Sequence, residues 1–292
     1  MKLLRASHLG MCFGVRDAIA YATAEAARQP LTILGELVHN DTVLADLRAR
    51  GIAIAPHYPD AATPTVMVTA HGASDTAIAA ARARGHHVLE ATCPLVRVAH
   101  RAVQAIVRDG FHPIIIGQRG HVEVRGLTED LPACDIVLTE ADIAALPERP
   151  RLGIAAQTTQ PIARVRQLVA HIRDRFPRAE IRFVDTVCQP TKQRQQAAED
   201  LARASDVVLV IGGAHSNNTR ALVATCARFC PRVHHVQDVA DLRPEWFTDA
   251  ETVGLTAGTS TPGATIDAVE QALWRVAAMF DTRVTSPTPL VA

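Results

Sequence analysis

Apolar residues recur along the chain at two alternating periods, and the alternation repeats three times. Helical spacing appears at Val15, Ile19, Ala22 and Ala26, again at Val96, Ala99, Val103 and Ile106, and again at Ala197, Leu201 and Ala204. Each predicted helix is followed by a short β-rich apolar run, over residues 31–34, 113–116 and 207–211. Each run breaks into a Gly-led polar loop: GELVHN, GQRGHVEV and GGAHSNNT. A second strand-and-loop pair follows in every repeat, over residues 66–74, 152–160 and 252–262, and leads into another helical pattern. The last of these helices spans 265–279 and carries Ile266, Val269, Ala272, Leu273 and Val276 on one stripe. Two repeats close on a further strand, HHVLEATC and IRFVDTVC. Alternating strands and helices predict parallel sheets covered by helices. Such folds place ligands at the carboxyl ends of the strands, where the polar loops lie. The expected fold is therefore α/β, with three similar lobes built on small, mainly parallel sheets. Their boundaries are expected at 11–93, 94–185 and 186–275, with segments 1–10 and 276–292 packing on the third lobe.

A chain of 292 residues with 48% hydrophobic and 21% charged residues has the make-up of a soluble globular protein. Thirty basic and thirty acidic residues cancel, and no basic run marks a nucleic-acid partner. The opening MKLLRASHLGMCFGV lacks the apolar core of a signal peptide, and no stretch of about 18 apolar residues predicts a membrane span. A cytoplasmic location is expected, where disulfides are disfavoured. Six cysteines in that setting point to metal binding, catalysis or burial.

Three of those cysteines share one phase of the repeat. Cys12 precedes Gly35 by 23 residues, and Cys93 and Cys188 precede Gly117 and Gly212 by 24 each. A thiol at a helix N-terminus ionises readily and becomes a thiolate ligand. Three such thiolates leave either a tetrahedral zinc or a [4Fe–4S] cluster with one open position. Cys226 and Cys230 stand four apart in a helical pattern and are assigned to core packing, and Cys134 to structure. His39, His71 and His121 occupy matched strand ends, where ring N–H groups and helix N-termini suit a phosphate or diphosphate. No P-loop and no G-x-G-x-x-G follows a strand, so nucleotide binding lacks support. Glu123 lies two residues after His121, and on an extended loop both would point the same way. A carboxylic acid kept protonated by burial there can deliver a proton to a leaving hydroxyl. Thr158, Thr159, Ser216, Asn217, Asn218, Thr219 and Ser260 complete the loops as helix caps and anion donors.

Taken in order, GMCFGV, GELVHN, TAHGAS, ATCPLV, GHVEV, AQTT, DTVC with TKQRQ after it, GGAHSNNTRAL and GLTAGTSTP run through nearly the whole chain. In that combination the sequence resembles the 4-hydroxy-3-methylbut-2-enyl diphosphate reductase family. The resemblance implies a pseudo-threefold, trefoil-like arrangement around a central [4Fe–4S] cluster, with Cys12, Cys93 and Cys188 as ligands and one iron left open. It implies a diphosphate substrate held by His39, His71, His121, Thr158, Ser216, Asn217, Asn218 and Ser260. Glu123 and Thr158 then carry the catalytic proton. The implied reaction is reductive dehydroxylation to isopentenyl and dimethylallyl diphosphate, the last step of the non-mevalonate isoprenoid route. Electrons are expected from a ferredoxin or flavodoxin, since no nicotinamide or flavin site is readable. One departure stands out: the family's H-P-E-V reads H-V-E-V here, and Val122 lacks the fixed φ of proline. Three rivals remain on residues alone. A cluster-dependent hydro-lyase would want Arg or Lys clamps for carboxylates. A metal or cluster sensor would want a partner-binding module. A zinc hydrolase would bind zinc without sulfide.

Overall fold

The computed structural model describes residues 1–280 and 285–289, with 279–280 and 285–289 as backbone only. Strand β1 (Lys2–Arg5) comes first. The first repeat then runs α1 (Phe13–Ala26), β2 (Leu31–Leu34), α2 (Asp41–Ala49), β3 (Ala53–Ala55), β4 (Thr65–Val68), α3 (Asp75–Ala83) and β5 (His87–Glu90). The second runs α4 (Pro94–Arg108), β6 (His112–Ile116), α5 (Val122–Thr128), β7 (Asp135–Val137), α6 (Glu140–Ala144), β8 (Arg151–Ala156), α7 (Ile162–Arg175) and β9 (Glu180–Phe183). The third runs α8 (Gln189–Arg203), β10 (Val207–Ile211), α9 (Asn217–Cys226), β11 (Val233–Val236), β12 (Thr252–Ala257), α10 (Gly263–Phe280) and β13 (Thr285–Pro289).

The three sheets share one strand order. They run β3-β2-β4-β5, β7-β6-β8-β9 and β11-β10-β12-β1-β13, with the pairings parallel. In the third sheet β1 takes the place held by β5 and β9, pairing Lys2 to Thr252 and Arg5 to Leu255. The first strand of the chain thus closes the last repeat. The chain divides into two compact units. One comprises Met1–Phe13, His39–Val43 and Gln189–Ala292, and contains the five-stranded sheet. The other comprises Gly14–Val38 and Leu44–Cys188, and contains both four-stranded sheets.

Alternation along the central strands explains the layering. In the second sheet Ile114, Ile116, Leu152 and Ile154 face a core with Val165, Leu168 and Ile172 of α7. Ile115 and Ala155 face the opposite core with Ala99, Val103 and Ile106 of α4. The third sheet repeats the scheme. Leu209, Ile211 and Leu255 meet Val269 and Leu273 of α10, while Val208 and Val210 meet Leu201 of α8 and Leu222 of α9. Burying each Leu, Ile or Val side chain contributes roughly 1.5–3 kcal/mol, and a parallel sheet buried on both faces needs such continuous apolar runs.

The helices that follow the three cysteines start where the sequence indicates. Pro94 is the first helical residue of α4, with Cys93 as its N-cap, and the stripe Val96, Ala99, Val103, Ile106 is buried as predicted. In α1 the buried positions are Gly14, Val15, Ala18 and Ala22, so Ala18 rather than Ile19 lies at the centre of the stripe. In α8 the helix ends at Arg203, and Ala204 is exposed beyond it; Ala197, Ala198, Leu201 and Ala202 form the buried face. No helix among the described residues is long and apolar enough to cross a membrane.

Candidate active site

Each of the three equivalent cysteines lies between the fourth strand of a sheet and the helix that follows. Cys12 comes after β1 and before α1, Cys93 after β5 and before α4, Cys188 after β9 and before α8. Each backbone N–H makes the same bond. It donates to the carbonyl two residues beyond the end of the third strand: Cys12 to Thr259 (3.1 Å), Cys93 to Ala70 (3.0 Å) and Cys188 to Thr158 (3.0 Å). The repeat seen in spacing is therefore a repeat in geometry. None of the three is in a disulfide, and all are partly accessible. Cys226 and Cys230 differ: both are buried, and their thiols point at the carbonyls of Ala198 and Asp206. Burial, with Cys230 beside it, pushes the Cys226 thiol up to about 12. These two are core, as the sequence suggests.

Space over one thiol is preserved by a missing side chain. A Cβ on Gly14, in the first turn of α1, would stand 2.5 Å from Cys93 Sγ. Among the described residues no three His, Cys, Asp or Glu side chains are grouped as a single bound metal ion would require.

Glu123 is the buried acid of the set. It is 1% exposed. Its Oε1 accepts the Thr158 N–H (2.6 Å) and its Oε2 faces the Thr158 hydroxyl (3.0 Å). Burial raises its carboxyl to about 7 against the opposing pull of those two Thr158 bonds. The extended loop expected here is instead the first turn of α5. His121 is its N-cap, and His121 Nδ1 accepts the Glu123 N–H (3.1 Å). The reason is local: a capped turn satisfies an N–H that an extended loop would leave unbonded. Val122 occupies the first helical position, where proline's missing N–H makes no difference. The turn forms with valine, held by the His121 cap and the two bonds to Thr158. Because Nδ1 accepts, the proton of neutral His121 sits on Nε2 and makes that atom a donor. The His71 ring meets the His121 ring edge-on, centroids 5.4 Å apart. Arg125 pairs with Glu129 (3.7 Å) and not with Glu123.

The other unit carries a second set. Ser216 is the N-cap of α9 and accepts the Thr219 N–H (3.3 Å), as the SNNT run predicts. Asn218 is 4% exposed; its Oδ1 accepts the Thr259 N–H (2.9 Å). Asn218 Nδ2 is buried and has no hydrogen-bond partner among the described residues. A buried amide donor in that state costs free energy unless a ligand oxygen or water meets it. Arg220 donates to Asn217 Oδ1. Ser260 Oγ donates to the His39 carbonyl (3.3 Å), and a Cβ on Gly213 would stand 2.6 Å from that same oxygen. His39, Gly213 and Ser260 are thus packed as one piece.

The predicted residues fall into two sets by unit. Cys93, Cys188, His71, His121, Glu123 and Thr158 belong to one, and Cys12, His39, Ser216, Asn217, Asn218 and Ser260 to the other. Sequence reasoning passed over Thr259 and Gly14. Thr259 stands two residues past β12 as Thr158 stands two past β8, and each passes its N–H to a buried side chain and its carbonyl to a cysteine. The repeat itself was the available signal. For Gly14 no signal existed short of the fold.

Comparison with known proteins agrees along the length of the chain. The family model described as LytB protein matches residues 3–274. The 4-hydroxy-3-methylbut-2-enyl diphosphate reductase of Pelobacter propionicus is 34% identical over 271 residues, covering 92% of this chain and 96% of that protein. The protein of the same name from Aquifex aeolicus is 32% identical over 280 residues, covering 94% and 96%. Among solved structures, the E-1-hydroxy-2-methyl-but-2-enyl-4-diphosphate reductase of Plasmodium falciparum superposes with a TM-score of 0.89 at 26% identity, over 99% of this chain and 91% of that one. A structure of (E)-4-hydroxy-3-methyl-but-2-enyl diphosphate reductase, described as the terminal enzyme of the non-mevalonate pathway, gives 0.68 at 32% identity, over 94% and 100%.

Proposed function

The chain belongs to the LytB family, and from that premise we propose how its own residues carry out the family's reaction. It is a 4-hydroxy-3-methylbut-2-enyl diphosphate reductase of the non-mevalonate isoprenoid pathway. The substrate loses its hydroxyl as water, taking up two electrons and two protons, and leaves as isopentenyl or dimethylallyl diphosphate.

The residues present fit an iron–sulfur group. Three partly accessible cysteines outside any disulfide precede three helices in equivalent positions, and Gly14 keeps the space over Cys93 open. Cys12, Cys93 and Cys188 would hold a [4Fe–4S] cluster with one iron free of cysteine. That cluster supplies single-electron reduction and a Lewis-acidic iron. We assign the electron donor as a ferredoxin or flavodoxin, the location as cytoplasmic, and the repeats as residues 11–93, 94–185 and 186–275.

The observation that carries the chemistry is Glu123 on Thr158. A buried carboxyl raised to about 7 is protonated on a large fraction of molecules at neutral pH. In the ionised form Oε1 accepts the Thr158 N–H and Oε2 accepts the Thr158 hydroxyl. In the protonated form Oε1 keeps the N–H, the proton sits on Oε2, and that second bond reverses so that the carboxyl donates to Thr158 Oγ1. The Thr158 hydroxyl then presents its own proton to the leaving oxygen. The carboxylate left behind keeps both Thr158 bonds. The Thr158 carbonyl also takes the Cys188 N–H, so acid, hydroxyl and thiol share one residue. His39, His71 and His121 with Ser216, Asn217, Asn218 and Ser260 supply donors for the diphosphate.

Anaerobic reduction of the substrate with an artificial donor tests the reading. It should consume two electrons per diphosphate product, and the protein should contain iron and sulfide. Zinc without sulfide, or water loss without consumption of reductant, would overturn it. Asn218→Ala removes a charge-assisted donor valued at about 1.5–3 kcal/mol, so inorganic diphosphate should bind about 10- to 100-fold more weakly by calorimetry. Unchanged affinity would remove Asn218 from the anion site.

A further inference from the structure

Among the described residues only two formally charged side chains are buried, Glu123 and Arg194. The first has its role. The second sits on α8, six residues after Cys188, and is 8% exposed. Its Nε donates to the carbonyl of Gly10 (3.0 Å) and its Nη1 to the carbonyl of Pro190 (3.1 Å). Gly10 lies two residues before Cys12, and Pro190 two residues after Cys188. One planar guanidinium therefore bonds the segments that flank two of the three cysteines. Gly10 is itself fixed from other sides. Its N–H donates to the Ala257 carbonyl (3.0 Å), its φ is +71°, and a Cβ there would collide with Ile266.

Burying a guanidinium is costly, and an apolar side chain of similar volume would ordinarily serve packing as well. What an apolar replacement lacks is the two-pronged donor geometry and a fixed positive charge. Cysteine ligands bind as thiolates, and the potential of an iron–sulfur group responds to nearby charge and hydrogen bonding. We infer that Arg194 is a positioning residue for the cluster ligands, holding the approach to Cys12 against the start of α8 after Cys188 and supplying a permanent cation to both flanking segments. This rests on Cys12 and Cys188 being ligands. Nothing in the proton relay through Glu123 depends on it.

The test uses the full chain, purified anaerobically, as wild type, Arg194→Met and Arg194→Lys. Three quantities are measured: iron and sulfide retained through a chelator challenge, the midpoint potential from an EPR-monitored titration, and the circular-dichroism melt. Arg194→Met should lose iron about tenfold faster or more, and the iron that remains should titrate at a more negative potential, because a cation favouring the added electron has gone. Arg194→Lys should keep the potential near wild type yet lose iron faster, since one ammonium cannot reproduce the fork that reaches both carbonyls. Wild-type retention and potential in Arg194→Met would overturn the inference while leaving the reductase reading intact. A wild-type protein without iron and sulfide would instead overturn that reading. If Arg194→Met does not fold, the decision passes to Arg194→Lys, where unchanged iron retention overturns the inference. Failure of both variants to fold overturns it too, by making Arg194 a core residue.

Discussion

Glu123→Gln gives a folded, iron-containing protein whose turnover is about 10²- to 10⁴-fold lower, the range typical for removing a positioned acid. The amide is isosteric, and its carbonyl oxygen can still accept the Thr158 N–H that Oε1 now receives at 2.6 Å. What it lacks is a transferable proton. The same change has an opposite signature in stability. The carboxyl is raised from 4.5 to about 7 in the folded state, so the folded protein holds the proton more tightly than the unfolded chain. For an acid shifted in that direction, the stabilisation is fully present below pH 4.5 and is lost as pH rises through 7. By linkage the loss amounts to about 3 kcal/mol. The glutamine variant has no such loss. Urea melts at pH 5 and pH 8 should therefore show the variant gaining on wild type by an amount of that order at the higher pH. Normal turnover in the variant, or parallel stability profiles, would remove Glu123 from the role of buried acid.

Much of this arrangement was legible in the chain because local periodicity and burial agree. The stripe on α4, the first strand of each repeat and the helix that starts after each cysteine all follow from residues within one element. The rest depended on distant partners. The spacing already made Cys12 the counterpart of Cys93 and Cys188 and put segment 1–10 on the third lobe. Only the pairing of the four-residue β1 with β12, some 250 residues away, shows that this segment is a strand in the place β5 and β9 hold in their sheets. The outer strands β3 and β7 are three residues long, too short for an alternating pattern. α8 reads as a polar helix, QPTKQRQQ, and nothing in that run singles out Arg194 as its buried cation. The raised carboxyl of Glu123 is likewise a product of the finished core: the same residue in an open first turn would titrate as an ordinary acid.

Gly14 offers the clearest separation of fold from cofactor. Glycine in a helix costs up to about 1 kcal/mol relative to alanine, so by propensity alone Gly14→Ala should hold or raise the stability of α1. The structure demands the opposite of the metal site. The added Cβ would stand 2.5 Å from Cys93 Sγ and 3.1 Å from its Cβ, where carbon contacts settle at about 3.5–4.0 Å. The cheapest relief is rotation of the Cys93 side chain, because its backbone is pinned by the bond from its N–H to the Ala70 carbonyl and by its place at the head of α4. Rotation takes the sulfur off the direction a ligand needs. Gly14→Ala should therefore purify with a wild-type melt but about tenfold or more weaker iron retention, comparable to other losses of support around a metal ligand. Cys93→Ser should lose iron as well, and combining it with Gly14→Ala should add little, since both act on the same sulfur. Full iron in Gly14→Ala would mean that the thiol does not need the space this glycine keeps. An iron loss that instead added fully to that of Cys93→Ser would place the effect of Gly14 on another ligand.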